Sequence, residues 1–122
     1  MFKYKATYFT PSEFKCKCGC GMDVVDTLKE MLDDARDAAG VSFKITSGAR
    51  CKAHNASIKA STTSSHTLGL AADIKFNNSN DKFRIMYGLI VAGFTRIGIN
   101  EHTMFIHADI DKNKAQNTLF AY

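Results

Sequence analysis

The sequence predicts an α+β fold, in which helices pack on a small, mostly antiparallel sheet. Two long segments repeat apolar residues at the spacing of an amphipathic helix, and several short apolar or alternating segments have the pattern of strands. The chain has 122 residues, of which 45% are hydrophobic and 23% are charged, so its composition is that of a globular protein. We therefore expect one domain over residues 1–122, because this length is ordinary for a single core.

The N-terminal part of the chain contains two helix starts. In "TPSEF", Thr10 has the properties of an N-cap, Pro11 suits the first turn and Glu13 completes a capping box. Asp23 is predicted to cap the first long helix, which Gly40 ends. The apolar positions of that helix are Val24, Val25, Leu28, Met31, Leu32, Ala35, Ala38 and Ala39.

The remaining elements follow from the same patterns. Strands are predicted at residues 43–47, 71–76, 96–100 and 104–109, with a turn at "EHT" between the last two. Residues 49–66 are polar and irregular, with a short helix near His54, and the polar tail from Asp111 is expected to be partly loop. The segment "NNSND" predicts a turn and the cap of the second long helix. The apolar positions of that helix region are Phe83, Met86, Tyr87, Leu89, Ile90 and Phe94.

The formal net charge of the chain is +4, which favours an acidic partner or surface such as nucleic acid, anionic lipid or an anionic cell wall. The basic residues are scattered rather than clustered in blocks, and this speaks against nucleic acid. No stretch has the length of a membrane span or the pattern of a signal peptide. We expect a monomer without stable membrane insertion, made and kept in a cytoplasm unless another agent releases it.

Four cysteines stand at positions that allow three interpretations. Cys16, Cys18 and Cys20 lie in "CKCGCG", and Cys51 lies in "SGARCKAHN". The C-x-C-x-C spacing differs from the C-x-x-C of common zinc fingers. The thiols are reduced and have a packing role, or Cys51 forms a disulfide with one of the other three after release into an oxidising space, or all four bind a structural zinc ion.

The carboxylate of Asp73 lies inside the apolar strand "AADI", where its burial costs free energy. A buried carboxylate needs a partner or a metal ion. His107 lies in a similar strand, "MFIHADI", and His66 lies in the loop that leads to the first strand. Two imidazoles and one carboxylate form the open zinc site of hydrolases, with the fourth position left for water. The alternative is that these are core histidines bonded to carbonyl groups.

Three motifs, in order along the chain, resemble those of the zinc D,D-peptidase and murein endopeptidase family, peptidase family M15. They are "SGARCKAHN", "SSHTLGLAADI" and "FIHAD". The pattern S-G-x-R, then S-x-H-x(6)-D, then a late H is met by Ser47, Gly48, Arg50, Ser64, His66, Asp73 and His107. The subgroup that the chain resembles most begins with F-x-x-S-E-F-x-C-x-C-G-C-G, matched by residues 9–21, and carries a late H-x-D, matched by residues 107 and 109.

The resemblance implies a fold like that of the D,D-peptidases and the zinc domain of hedgehog proteins. It implies that His66, Asp73 and His107 bind Zn²⁺ and that Arg50 holds a carboxylate or carbonyl of the substrate. This role suits an arginine, because guanidinium makes charge-assisted, bidentate bonds to carboxylates. His54 belongs to the matched pattern as well, either as a brace for the Arg50 loop or as part of the cleft wall.

The sequence departs from the wider family at one position. Many members carry a Glu or Asp three residues before the last histidine as general base, and here that position is Met104. Glu101, six residues before His107, is the favoured substitute, and the hedgehog zinc domain is similar in having a glutamate there. His102 and Asp109 are further candidates, and Asp109 is expected to orient His107 because residues 107 and 109 face the same side of a strand. Otherwise Glu101 is an exposed carboxylate at the tip of a hairpin.

The activity that the resemblance implies is hydrolysis of a bond in the peptidoglycan stem peptide. A basic domain without an export signal resembles a phage endolysin, held in the host cytoplasm until a holin opens the membrane and lets it reach the periplasm and cell wall. An endopeptidase of the L-alanyl-D-glutamate type is favoured. A D-Ala-D-Ala carboxypeptidase or dipeptidase of cell-wall remodelling is one alternative, and a non-catalytic, zinc-containing wall-binding domain is another.

Overall fold

The computed structural model describes residues 8–122, and this part of the chain has an α+β fold. The helices are α1 (Asp26–Ala39), α2 (Lys52–Ser57) and α3 (Ser79–Val91), with a 3₁₀ turn at Ser65–Leu68. The strands are β1 (Lys44–Ser47), β2 (Ala71–Lys75), β3 (Arg96–Asn100), β4 (Phe105–Asp109) and β5 (Thr118–Ala121). The predicted fold class is therefore confirmed.

The five strands form one sheet in the order β1-β2-β4-β3-β5. All neighbouring pairs are antiparallel except β3 and β5, which are parallel. Asp73 of β2 lies opposite His107 of β4, and Gly98 of β3 lies on the other side of His107. Because side chains alternate along a strand, Asp73 and His107 share one face of the sheet with Asp109.

The other face of the sheet holds the hydrophobic core. Helices α1 and α3 pack against each other and supply fully buried leucines and isoleucine to this core. The fully buried apolar side chains of the two helices and of strands β2 and β4 are Leu28, Leu32, Ile85, Leu89, Ile74 and Ile106. The helices thus cover one face, and the face that carries Asp73 and His107 stays available for a site. No helix of residues 8–122 is long and apolar enough to cross a membrane.

The predicted helix at "TPSEF" is wrong, because residues 11–14 form only a turn. Half of the capping box is present, since the backbone N–H of Thr10 donates to Glu13 at 2.6 Å. The helix does not continue because Phe14 and Cys16 are buried and the chain turns back, with the N–H of Cys16 donating to the carbonyl of Met22 at 2.7 Å. Tertiary packing here overrides a local capping signal.

The predicted cap of the first long helix is also wrong. Helix α1 begins at Asp26, and Val25 occupies its N-cap position without a side-chain cap. The carboxylate of Asp23 instead accepts a hydrogen bond from the N–H of Val24 and pairs with Lys29 at 2.7 Å. The N–H of Val25 donates to the carbonyl of Gly69, so this segment is held extended beside the 3₁₀ turn. The predicted end at Gly40 is confirmed by its left-handed conformation.

The C-terminal half matches the prediction except for its last strand. Helix α3 forms with Asn78 as its cap, but three of its predicted apolar positions, at Phe83, Tyr87 and Ile90, are exposed. Strand β5 occupies part of the tail that was expected to be loop. It pairs in parallel with β3, a partner more than fifteen residues earlier in the chain, which a local pattern does not reveal.

Candidate metal centre

His66, Asp73 and His107 meet on the open face of the sheet. The Nε2 atom of His66 lies 3.2 Å from Oδ1 of Asp73, and the Nδ1 atom of His107 lies 3.0 Å from the same oxygen. All three residues are buried. The sequence-predicted ligands are therefore together, at a point supplied by β2, β4 and the 3₁₀ turn.

The outer nitrogen of each imidazole has a partner that fixes its tautomer. Nδ1 of His66 lies 2.6 Å from the carbonyl oxygen of Gly48, and Nε2 of His107 lies 2.7 Å from Oδ2 of Asp109. A carbonyl or an ionised carboxylate only accepts, so these two nitrogens carry the protons. In the neutral rings, the remaining nitrogens direct their lone pairs at Asp73, and the three acceptors together can hold a cation.

The donor set and the spacing fit zinc. Tetrahedral Zn²⁺ with bonds of about 2.0–2.1 Å places neighbouring ligand atoms about 3.3 Å apart, close to the two separations at Asp73. The three ligand atoms also lie within 4.8 Å of one another. The protein thus offers three ligands and leaves one position open, as a hydrolytic site requires.

Burial and hydrogen bonding act in opposite directions on the acids of this centre. Burial raises the pKa of Asp73. Without a metal ion, hydrogen bonds and positive charge from His107 and His66 in their protonated forms outweigh burial and bring this pKa to about 2. Burial also raises the pKa of Asp109, and its bonds with His107, the N–H of Asp111 and Arg96 again lower it overall. Both carboxylates are therefore ionised at neutral pH and are suited to bind cations.

The centre opens into a cavity of about 410 Å³ that is basic on its rim. Arg50, Arg96 and Lys114 line it together with Ser64. Arg50 donates from one terminal nitrogen to the hydroxyl of Ser64 at 3.0 Å, whereas its Nε is buried and has no hydrogen-bond partner. Burial lowers the pKa of Arg50, and the negative charge of Asp73 opposes this effect. The Nε–H of Arg50 is therefore a buried donor without a partner.

Glu101 and His102 lie away from this cavity. Glu101 is in the turn after β3, where its carboxylate pairs with Lys82 of α3 at 2.7 Å and is 62% exposed. His102 is exposed in the same turn, and neither residue lines the cavity. His54 does not line it either, since it lies in α2 with its backbone N–H directed at Cys51. Of the carboxylates in residues 8–122, Asp73 is the one that lines the cavity.

Arg96 is a residue of the site that the sequence analysis did not single out. Its Nε lies 3.0 Å from both carboxylate oxygens of Asp109, which in turn contacts His107. The register of the β3–β4 hairpin would have indicated it. Gly98 of β3 pairs with His107 of β4. Arg96, two residues before Gly98, therefore lies beside Asp109, two residues after His107.

Strand β5 supplies an aromatic wall that the sequence analysis also missed. The rings of Phe120 and Tyr122 lie 5.8 Å and 6.5 Å from the ring of His107, and both residues line the cavity. Phe120 lies against Gly98, where an added Cβ would be 2.3 Å from its ring. Burial raises the pKa of Tyr122 to about 12, so its phenol is a hydrogen-bond donor at neutral pH.

Comparison with known proteins agrees with this geometry. No curated protein matches the chain. The family model described as Peptidase M15 matches residues 7–109, which include every ligand of the centre and Arg50. Peptidases of this family are zinc-dependent hydrolases, and the three ligands found here are of the type that zinc requires. A match over most of its length shows that the chain belongs to the M15 family of metallopeptidases.

Proposed function

We propose that the chain is a zinc-dependent murein endopeptidase that cleaves the L-alanyl-D-glutamate bond of the stem peptide and acts as a phage endolysin. The family implies a peptidoglycan substrate. The observation that carries the proposal is the convergence of His66, Asp73 and His107 in a cavity that Arg50 also lines.

The basic cavity suits this bond in particular. In the stem peptide the chain continues through the γ-carboxyl group of D-glutamate, so a free α-carboxylate stands next to the L-alanyl-D-glutamate bond. The guanidinium of Arg50, which lines the cavity, can donate charge-assisted hydrogen bonds to that carboxylate. Arg96 and Lys114 add positive charge to the same cavity and favour anionic peptides.

The residues of the centre position the reacting groups. Zinc held by the three ligands supplies Lewis-acid polarisation of the scissile carbonyl and activation of the attacking water. Gly48 and Asp109 hold the two imidazole rings with their lone pairs directed inward. Phe120 and Tyr122 shield one side of the centre from bulk solvent, which strengthens electrostatic interactions inside it.

Glu101 is our proposed proton acceptor. It follows Asn100, which pairs with Phe105, and Phe105 lines the cavity. To act, its carboxylate must leave Lys82 and turn toward the centre. An exposed ion pair of this kind is worth about 0–1 kcal/mol, so its release has a low cost.

The test uses purified Gram-negative peptidoglycan and counts the amino groups released. We expect turnover by the wild type and by the control Asp34→Ala, which removes an exposed carboxylate of α1. Asp73→Ala should fall to background and lose the zinc ion of this centre. Wild-type protein that holds this zinc but releases no amino groups would overturn the peptidase proposal.

The fragments and the site of action test the finer parts. New N-terminal D-glutamate, identified by mass spectrometry, supports the proposed bond, whereas release of free D-alanine would show a carboxypeptidase. For the endolysin role, expression in a Gram-negative host should cause lysis only once the inner membrane is permeabilised. Lysis without permeabilisation, or none with it, contradicts that role.

A further inference from the structure

The four cysteines form a second cluster, apart from the cavity of the histidine centre. Cys16, Cys18 and Cys20 lie in the N-terminal loop, and Cys51 is the N-cap of α2. The sulfur atom of Cys18 lies 3.4 Å from that of Cys16 and 3.5 Å from that of Cys51, and the last two are 3.8 Å apart. All four sulfur atoms lie within 4.8 Å of one another, and all four thiols are free.

These separations are those of ligands around a shared ion. Tetrahedral Zn²⁺ with Zn–S bonds of about 2.3 Å places neighbouring sulfur atoms about 3.8 Å apart. A disulfide joins two sulfur atoms at about 2 Å and does not account for the position of the other two. Here one buried and three more accessible thiols, from segments 35 residues apart, converge on one point. Packing of separate reduced thiols does not require such convergence.

The loop is shaped to bring alternate residues together. In an extended strand, residues two apart are separated by about 6.6 Å, too far for ligands of one ion. Gly19 and Gly21 have φ values of +87° and +88°, a conformation that side-chain-bearing residues rarely adopt. They turn the chain between and after the cysteines, which allows the C-x-C-x-C segment to fold around a centre.

Two backbone N–H groups are directed at sulfur atoms of the cluster. The backbone N–H of Cys51 donates to the sulfur of Cys16, and that of His54 donates to the sulfur of Cys51, both at 3.4 Å. Such donors stabilise negative charge on sulfur. Lys17 and Lys52, next to the cysteines in sequence, add positive charge that offsets a metal centre with four thiolates.

We propose that Cys16, Cys18, Cys20 and Cys51 bind a structural zinc ion, separate from the ion of the His66–Asp73–His107 centre. Site, metal and coordination are inferred from the cluster alone, so the proposal does not rest on peptidase activity.

This ion would fasten the N-terminal loop to the segment that carries the functional residues. The N–H of Ala49 donates to the carbonyl of Phe14 at 2.8 Å, and Gly48 lies so close to Phe14 that an added Cβ would be 2.4 Å from its carbonyl oxygen. Gly48 also holds the ring of His66, and Arg50 immediately precedes Cys51. The structural ion would therefore stabilise the position of the substrate-binding arginine.

The test measures metal content and cobalt spectra of the full chain. We expect two zinc ions per wild-type molecule, one in Asp73→Ala and one in Cys18→Ser/Cys20→Ser, whose replaced side chains are exposed. With Co²⁺, the wild type and Asp73→Ala should show thiolate-to-cobalt charge-transfer absorption, and the cysteine variant should lack it.

Thiol reactivity of the native wild type keeps the proposal testable if the cysteine variant does not fold. All four thiols should be protected from alkylation in the metal-loaded protein and become reactive when a chelator is added. A single zinc ion that is lost with Asp73→Ala, equal reactivity with and without chelator, or a disulfide in the freshly purified protein would each overturn the proposal. None of these readouts depends on cleavage of peptidoglycan.

Discussion

At the scale of single residues, we propose that Arg50 binds the substrate. Arg50→Lys keeps the positive charge but removes the planar fork that serves Ser64 and the cavity together. A hydrogen bond to a charged group is worth about 1.5–3 kcal/mol, so we expect kcat/KM to fall about 10- to 100-fold. Zinc content should be unchanged. Arg84→Lys, an exposed arginine of α3, is the matched control, and equal activities of the two variants would contradict the role of Arg50.

We propose that Asp109, which contacts His107, is a positioning residue that acts through this imidazole. Asp109→Asn keeps the size of the side chain but removes the charge that sets the basicity of the imidazole. Loss of such a partner typically weakens metal binding about 10- to 100-fold, and competition with a chromophoric chelator measures this directly. Circular dichroism should show an unchanged fold. An unchanged zinc affinity in the folded variant would mean that Asp109 matters for packing alone.

Glu101 and Lys82 allow a paired test of proton transfer. Glu101→Gln should lower kcat by about 10²- to 10⁴-fold, the usual contribution of a general base, with zinc content unchanged. Lys82→Ala frees the carboxylate of Glu101 and should leave activity equal or higher. If Glu101→Gln turns over like the wild type, the carboxylate only pairs with Lys82 at the surface.

Asp73 and His107 could be predicted as ligands from the sequence because each one violates a local rule, whereas His66 was assigned through the resemblance to the family. A carboxylate in "AADI" and a histidine in "MFIHADI" are polar residues where the strand pattern demands apolar ones. Arg96 obeys its local pattern and is recognised only through the strand register. Tyr122 could not be found in this way, because its place beside His107 depends on a pairing of β5 with a strand distant in sequence.

At the scale of elements, the contact between α1 and α3 depends on Gly88. A Cβ added there would lie 2.2 Å from the carbonyl oxygen of Ala35 and 2.9 Å from the Cβ of Ala39. In an isolated helix Gly→Ala gains about 1 kcal/mol, whereas overpacking costs about 1–3 kcal/mol, so we expect a net loss of up to about 2 kcal/mol. Urea unfolding measures it, with Asn80→Ala on exposed helix surface as control. Stabilisation by Gly88→Ala would show that the helices can separate freely.

The two long helices were predicted from local signals, whereas two features that depend on distant contacts were missed. Both long helices follow from their apolar periodicity, and Gly40 ends the first as expected. Helix α1 begins later than predicted, because the loop at Gly69 holds Val25 extended. This contact joins segments more than forty residues apart. The edge strand β5 likewise could not be predicted from its own residues, because it is defined by its pairing with β3.

At the scale of the whole molecule, charge should govern the encounter with the wall. The chain carries a formal charge of +4, and the cavity rim is basic. The Debye length is about 30 Å at 10 mM salt and about 8 Å at 150 mM, so salt screens attraction to an anionic substrate. We expect kcat/KM on peptidoglycan to fall several-fold over this range, with the circular dichroism spectrum unchanged. Salt-independent rates would mean that binding depends on short-range contacts alone.

Two ligands of the centre are close together in the sequence, and the third is distant from them. His66 and Asp73 are seven residues apart, whereas Asp73 and His107 are 34 residues apart, with α3 and β3 between them. Closing the longer loop costs more conformational entropy, and non-local strand pairing is slow. During folding, the third ligand therefore arrives only when β4 has paired with β2. A chain in which β4 has not yet paired with β2 therefore has no complete centre with which to cut.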